Sequence, residues 1–76
     1  MGKPLKLTMH AADRALAHNL DPDDIIKIVT EGEKITEGKT KCRYVLKTRG
    51  KTLIAICDED PERIIVITVT IGGETD

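Results

Sequence analysis

The sequence has no tryptophan and no phenylalanine, and Tyr44 is its single aromatic residue. Readers of single-stranded RNA or DNA stack bases on aromatic platforms, so a base-stacking reader fits poorly. An excess of either charge is also missing. Twelve Lys and Arg stand against 13 Asp and Glu, for a net charge of -1 and a pI near 6.1. The whole molecule therefore does not attract a polyanion, and nucleic-acid binding would rest on a local basic patch. No apolar run is long enough to span a membrane. The opening Met1-Gly2-Lys3-Pro4-Leu5-Lys6 has basic residues without a following apolar run, so it does not read as a signal peptide. It also lacks the Ser or Thr expected at position six of a myristoylation site, and a cytoplasmic location is the expectation. Cysteine is scarce. Cys42 and Cys57 are too few and too far apart for a zinc site of known spacing, and they read as two small buried hydrophobes. No metal and no cofactor is expected.

What is present suffices for one small domain over residues 1–76, ordered from about 5 to 71, with a thin core of Ile, Leu, Val and Ala. Leu5 and Leu7 alternate with Lys6, as in a brief strand or extended arm. Thr8 is placed to cap a helix running from Met9 to about Asn19. Met9, Ala12, Leu16 and Leu20 form its expected apolar stripe, with Ala15 nearby. Asn19 suits a left-handed helix end. A second helix starts at Asp21-Pro22-Asp23-Asp24, where Asp21 caps, Pro22 takes the first turn and the acids complement the dipole. It runs to about Glu31 with Ile25, Ile28 and Val29 buried and Ile26 flanking, and Gly32 stops it.

Residues 33–38 are polar around Ile35, in keeping with a short edge strand. From Lys39 on the period becomes two. Cys42, Tyr44, Leu46 and Thr48 should face the core, while Lys41, Arg43, Val45 and Lys47 face outward. A hairpin turn at residues 48–51 leads to a strand from Thr52 to about Asp58, then a charged turn at 59–62, then a last strand from Arg63 to Ile71. The nearly continuous apolar run of that strand predicts a central position with cover on at least part of both faces. Gly72 to Asp76 read as a frayed tail. The fold class is α+β: two N-terminal helices on one face of a three- to four-stranded antiparallel sheet. The hairpin register decides the cysteines. A two-residue loop would set Cys42 opposite Cys57. A three-residue loop with a bulged Gly50 would turn Cys57 to the other face, and Thr48-Arg49-Gly50 favours this form, so no disulfide is expected.

The residues suited to chemistry are concentrated on the first helix. His10 and Arg14, four apart, are neighbours on one helical face, with Asp13 at its edge and His18 further along. A histidine titrating near neutrality could act as base or acid, and a guanidinium could clamp a phosphate in a fork geometry. Metal-free RNA cleavage needs such a base, an acid and fixed positive charge. Lys41 and Arg43 could add charge, Thr68 a hydroxyl donor, and Tyr44 a substrate contact. Each also has an ordinary structural role available. His10 can bond local backbone or Asp13, Arg14 can pair with a neighbouring carboxylate, and Lys41 and Arg43 can form a solvated strand face. Thr68 can be a simple strand former, and Tyr44 a core residue with its hydroxyl satisfied. The acidic residues 21, 23 and 24 are explained by the helix start.

The order His10-Ala11-x-x-Arg14, a second helix begun at residues 21–24, a glycine at 32, a hairpin and a closing Ile65-Val66-Ile67-Thr68-Val69 strand resembles the domain of unknown function 4258 family. The likeness runs from about residue 7 to residue 71. These small prokaryotic proteins look like relatives of RelE-type toxins. The resemblance implies a RelE-like fold, broadly shared with barnase-like ribonucleases, and metal-independent RNA cleavage as an activity. In that reading His10, Arg14 and Thr68 are catalytic, and Lys41, Arg43 and Tyr44 bind RNA. The rival reading is a non-catalytic module for a protein partner, antitoxin-like, or for a second copy of the chain. Two departures count against a ribosome-bound nuclease: His18 stands where the family often has a second Arg, and ribosome-dependent toxins of this fold are strongly basic. Near-neutral charge and the single aromatic favour the rival.

Overall fold

The computed structural model of the chain describes residues 4–48 and 50–72. The elements run β1 (Leu5–Leu7), α1 (Met9–Ala17), α2 (Pro22–Glu31), β2 (Glu33–Thr36), β3 (Lys41–Thr48), β4 (Lys51–Glu59) and β5 (Ile64–Gly72). The sheet corrects the expected architecture. It has five strands in the order β1-β5-β4-β3-β2, and it is mixed, because β1 lies parallel to β5 while the other pairs are antiparallel. The class remains α+β. The pairing of Leu5 with Ile64 and Leu7 with Val66 joins the two ends of the chain, and a three-residue strand carries too little alternation to announce it. β5 is thus an interior strand, but among the described residues other elements cover only one of its faces. It also extends through Gly72, which the sequence placed in the tail. Positions 1–3 and the remaining tail positions, 73–76, lie outside the described residues.

Both helix starts follow from their capping residues. Thr8 Oγ1 accepts from Ala11 N at 3.0 Å and donates to the Ile67 carbonyl at 3.0 Å, so one hydroxyl caps α1 and ties it to β5. The Asp21 backbone N–H donates to Asp24 Oδ2 at 2.9 Å in a capping box, and Pro22 fills the first turn of α2. Asn19 takes the left-handed conformation at φ 58° after α1. Gly32 closes α2 differently. Its φ of -78° is ordinary, and it is needed because a Cβ there would sit 2.8 Å from the Val45 carbonyl oxygen.

One core lies between the helices and one sheet face. It contains Ala11, Ala15, Ile25 and Ile28 from the helices, and Cys42, Tyr44, Leu53, Ala55, Cys57, Ile64, Val66 and Val69 from the strands. α1 approaches β5 through Ala11 and Ala15. The expected stripe is therefore corrected: Met9, Ala12 and Leu16 are exposed, because the two small residues allow the closest contact and turn the larger ones outward. The hairpin expectation is corrected as well. Thr48 pairs with Lys51 across a two-residue loop, whose Gly50 has φ 69°, and Cys42 pairs directly with Cys57. Both cysteines are buried free thiols. The bulge sits instead between β4 and β5, where Ile56 faces Thr68 and Cys57 faces Val66, leaving Ile67 as the extra residue.

Candidate functional site

Strand alternation sorts the sheet residues onto two faces. On the covered face, β2 presents Lys34, β3 presents Cys42 and Tyr44, and β4 presents Cys57 and Glu59. These side chains meet at one end of the sheet. Tyr44 Oη donates to Glu59 Oε1 at 2.7 Å, Lys34 Nζ lies 3.1 Å from the same oxygen, and Cys42 Sγ donates to it at 3.7 Å. Glu59 retains 15% side-chain exposure, so its carboxylate is held by protein donors and still opens on one side to water. That side is a cavity of about 280 Å³, whose lining includes Lys34, Lys39, Lys41, Cys42, Glu59 and Asp60.

The electrostatics of this cluster suppress ionisation. Burial pushes the Cys57 thiol up to about 12, assisted by Cys42 and Glu59. Burial also raises Cys42, with the Glu59 charge adding to it. Tyr44 is raised well above the ordinary phenol range, first by burial, then by its hydrogen bond to Glu59 and by the charge of that carboxylate. All three remain neutral hydrogen-bonding groups near neutral pH. The thiols are therefore poor nucleophiles, because thiolate is the reactive form. The cluster is suited to holding structure or a ligand, not to covalent catalysis.

The six residues singled out from the sequence occupy three places. His10 and Arg14 are exposed on α1, in the helical layer, and Arg14 Nη2 lies 3.4 Å from His18 Nε2 and makes no carboxylate pair among the described residues. Thr68 and Arg43 lie on the opposite, open sheet face, in one cross-strand row on either side of Ile56. Lys41 lies one row away beside Asp58, at the end of the sheet where it also lines the Glu59 cavity. Arg43 is held by Glu37, with Nη2 2.5 Å from Oε2, and its Nε is buried without a partner. Tyr44 belongs to the Glu59 cluster on the covered face. The structure thus groups Lys41, Arg43 and Thr68, and separates them from the pair on α1. Glu59 was missed because the run 59–62 reads as a charged turn. The turn begins one residue later, where Asp60 Oδ1 accepts from the N–H groups of Glu62 and Arg63. Continuing the alternation Leu53, Ala55, Cys57 by one step would have put Glu59 on the covered face.

The open face is apolar at its centre. Val45, Ile54, Ile56 and Ile65 are only half-buried, and among the described residues no helix lies over them. Lys6, Lys41, Arg43 and Lys47 surround them, with Glu33, Asp58 and Glu37, the partner of Arg43, as the acidic members. Among the described residues no helix is long and apolar enough to cross a membrane. Neither curated proteins nor solved structures give a match to the chain. A family model does: that of the domain of unknown function (DUF4258) matches residues 7–71, and the chain belongs to that family.

Proposed function

We propose that the domain is a non-catalytic protein-interaction module whose open sheet face receives an acidic amphipathic segment of a partner protein, in the manner of an antitoxin-like partner. The observation that carries this reading is the open face itself. An uncovered apolar centre of Val45, Ile54, Ile56 and Ile65 inside a ring richer in Lys and Arg than in acids suits an apolar stripe flanked by carboxylates. The separation of His10 and Arg14 from Thr68 and Arg43 supports it further. A nuclease would need base, acid and phosphate clamp around one phosphate.

The second reading is a RelE-like, metal-independent ribonuclease or a degenerate relative of one. It draws on the resemblance to RelE-type toxins and on one observation, the exposed His10 and Arg14 on a single helical face, free of carboxylate pairing among the described residues. One preparation tests both. Labelled RNA is incubated with the protein and a chelator, and a synthetic Leu/Glu amphipathic peptide is titrated into the same protein. The expected outcome is intact RNA and saturable peptide binding that Ile54→Lys removes. RNA cleavage that disappears in both His10→Ala and Arg14→Ala overturns the interaction reading in favour of the nuclease.

A further inference from the structure

The second exposed apolar region lies on the helical layer, away from the open sheet face. α1 turns Met9 and Leu16 to solvent, at 85% and 74% exposure, because Ala11 and Ala15 occupy its contact with the sheet. Helix geometry sets Met9, Ala12 and Leu16 in one stripe. This stripe borders a cleft of about 140 Å³ whose lining is wholly apolar and includes Leu7, Ala12, Leu16, Leu20, Pro22 and Ile25. Acids outnumber cations among the sequence neighbours of its lining residues, with Asp13, Asp21, Asp23 and Asp24 against Lys6 and Arg14. Asp13 stands beside the stripe, three residues before Leu16, and Asp21 and Asp23 bracket Pro22. None of the three makes an ion pair among the described residues. Arg14, next to Asp13 in the sequence, has its Nη2 3.4 Å from His18 Nε2.

We propose that this cleft docks a basic amphipathic helix of a partner protein. Its leucine-sized apolar side chains would enter the cleft over Ala12, and its Lys or Arg side chains would meet Asp13, Asp21 and Asp23. An amphipathic helix in an apolar groove is a standard mode of recognition, with anchors at three- and four-residue spacing. Charge selects this occupant over the alternatives. A second copy using the same patch would set its Asp13 against that of the first, because a two-fold contact repeats one surface on both sides. An anionic lipid surface would be repelled by the same three carboxylates. Acids thus predominate around the helical cleft, while cations outnumber acids around the open sheet face, although the total is only -1.

The test uses a fluorescent Leu/Lys amphipathic peptide, read by anisotropy against the full chain at low and high salt. Binding is expected, with roughly a fivefold to tenfold loss in Leu16→Ala at both salts. Asp13→Asn with Asp23→Asn should give a similar loss confined to low salt, because screening already removes that attraction at high salt. Ile54→Lys on the opposite face should leave this peptide unaffected while abolishing capture of the Leu/Glu peptide, so the two surfaces fail separately. Unchanged Leu/Lys binding in both cleft variants overturns the proposal. So does self-association, read by gel filtration, that Leu16→Ala abolishes. Met9→Ala is a second variant on the same stripe, and its 85% exposure makes a folding defect no explanation for lost binding.

Discussion

The Tyr44 hydroxyl donates to Glu59 across 2.7 Å on the covered sheet face, although Tyr44 pairs in register with Ala55, four residues upstream of its partner. The ring therefore runs along the sheet over a small neighbour instead of across it. Removing the hydroxyl in Tyr44→Phe should cost about 1.5–3 kcal/mol in urea unfolding, the range of a hydrogen bond to a charged acceptor. Because Tyr44 is the sole tyrosine, an alkaline absorbance titration reads its ionisation without interference. The folded midpoint should lie well above the ordinary phenol value, and Glu59→Gln should lower it in part, burial accounting for the remainder. Loss of less than about 0.5 kcal/mol in Tyr44→Phe would mean the bond contributes nothing net.

The facing cysteines make a prediction about alkaline stability. Folding raises the Cys57 thiol from 9.0 to about 12, so the folded state binds that proton more tightly. The resulting stabilisation is fully present below the unfolded value near 9 and is lost as pH rises through the window up to 12. Unfolding free energy should stay flat through neutral pH and fall above this onset. The fall should be smaller in Cys57→Ala, with Cys42 and Tyr44 supplying what remains, since both are raised in the same direction. A thiol-specific reagent should label neither cysteine in the folded protein at neutral pH and both in urea. Rapid labelling of the folded chain would contradict their burial.

Local signals were legible in the sequence, and long-range ones were not. Thr8, Asp21 and Pro22 announced both helices, and period two announced β3 and β4. Asn19 announced the left-handed end of α1. Each of these acts within a few residues. The β1–β5 pair depends on backbone hydrogen bonds between residues about sixty apart, and Leu5-Lys6-Leu7 is too short to show a period. The Met9, Ala12, Leu16 stripe misled for a related reason. Periodicity measures apolar character, but the approach of α1 to β5 is limited by size, and the alanines won. At the candidate sites, the reading of Tyr44 as a core residue with its hydroxyl satisfied matches its burial and its bond to Glu59. His10 and Thr68 were grouped by chemistry, yet strand direction and layer place them apart.

Gly32 and Gly38 should respond differently to alanine, although neither has a positive φ. A Cβ on Gly32 would stand 2.8 Å from the Val45 carbonyl oxygen, and would also crowd the Ile28 carbonyl. Both obstacles are backbone atoms that cannot swing away. Gly32→Ala should therefore destabilise by about 1–3 kcal/mol through forced displacement of the α2–β2 junction. A Cβ on Gly38 would meet only the Lys41 side chain, at 3.7 Å, which is ordinary contact. Gly38→Ala should stay within about 0.5 kcal/mol of the parent. Equal effects in thermal melts of the two variants would show that backbone entropy, not close approach, decides at position 32.

Thr8 joins two layers through one oxygen, and its variants separate hydroxyl from methyl. Its Oγ1 accepts from Ala11 N and donates to the Ile67 carbonyl, each at 3.0 Å, while its own N–H donates to the Val66 carbonyl at 3.1 Å. The backbone bond survives any substitution except proline. Thr8→Ala removes both hydroxyl bonds, exposing the first turn of α1 and leaving the carbonyl of the bulged Ile67 without this donor. A loss of about 1–2 kcal/mol is expected, the upper part of the range for a helix cap. Thr8→Ser retains both bonds and should lie within about 0.5 kcal/mol of the parent. Thr8→Val keeps the shape without the hydroxyl and should resemble Thr8→Ala. Hydrogen exchange at the Ala11 amide gives an independent reading, accelerated in the Ala and Val variants and protected in the Ser variant. If the Val variant matched the parent in both measurements, the side-chain shape and not the hydrogen-bonded oxygen would be what holds α1 against β5.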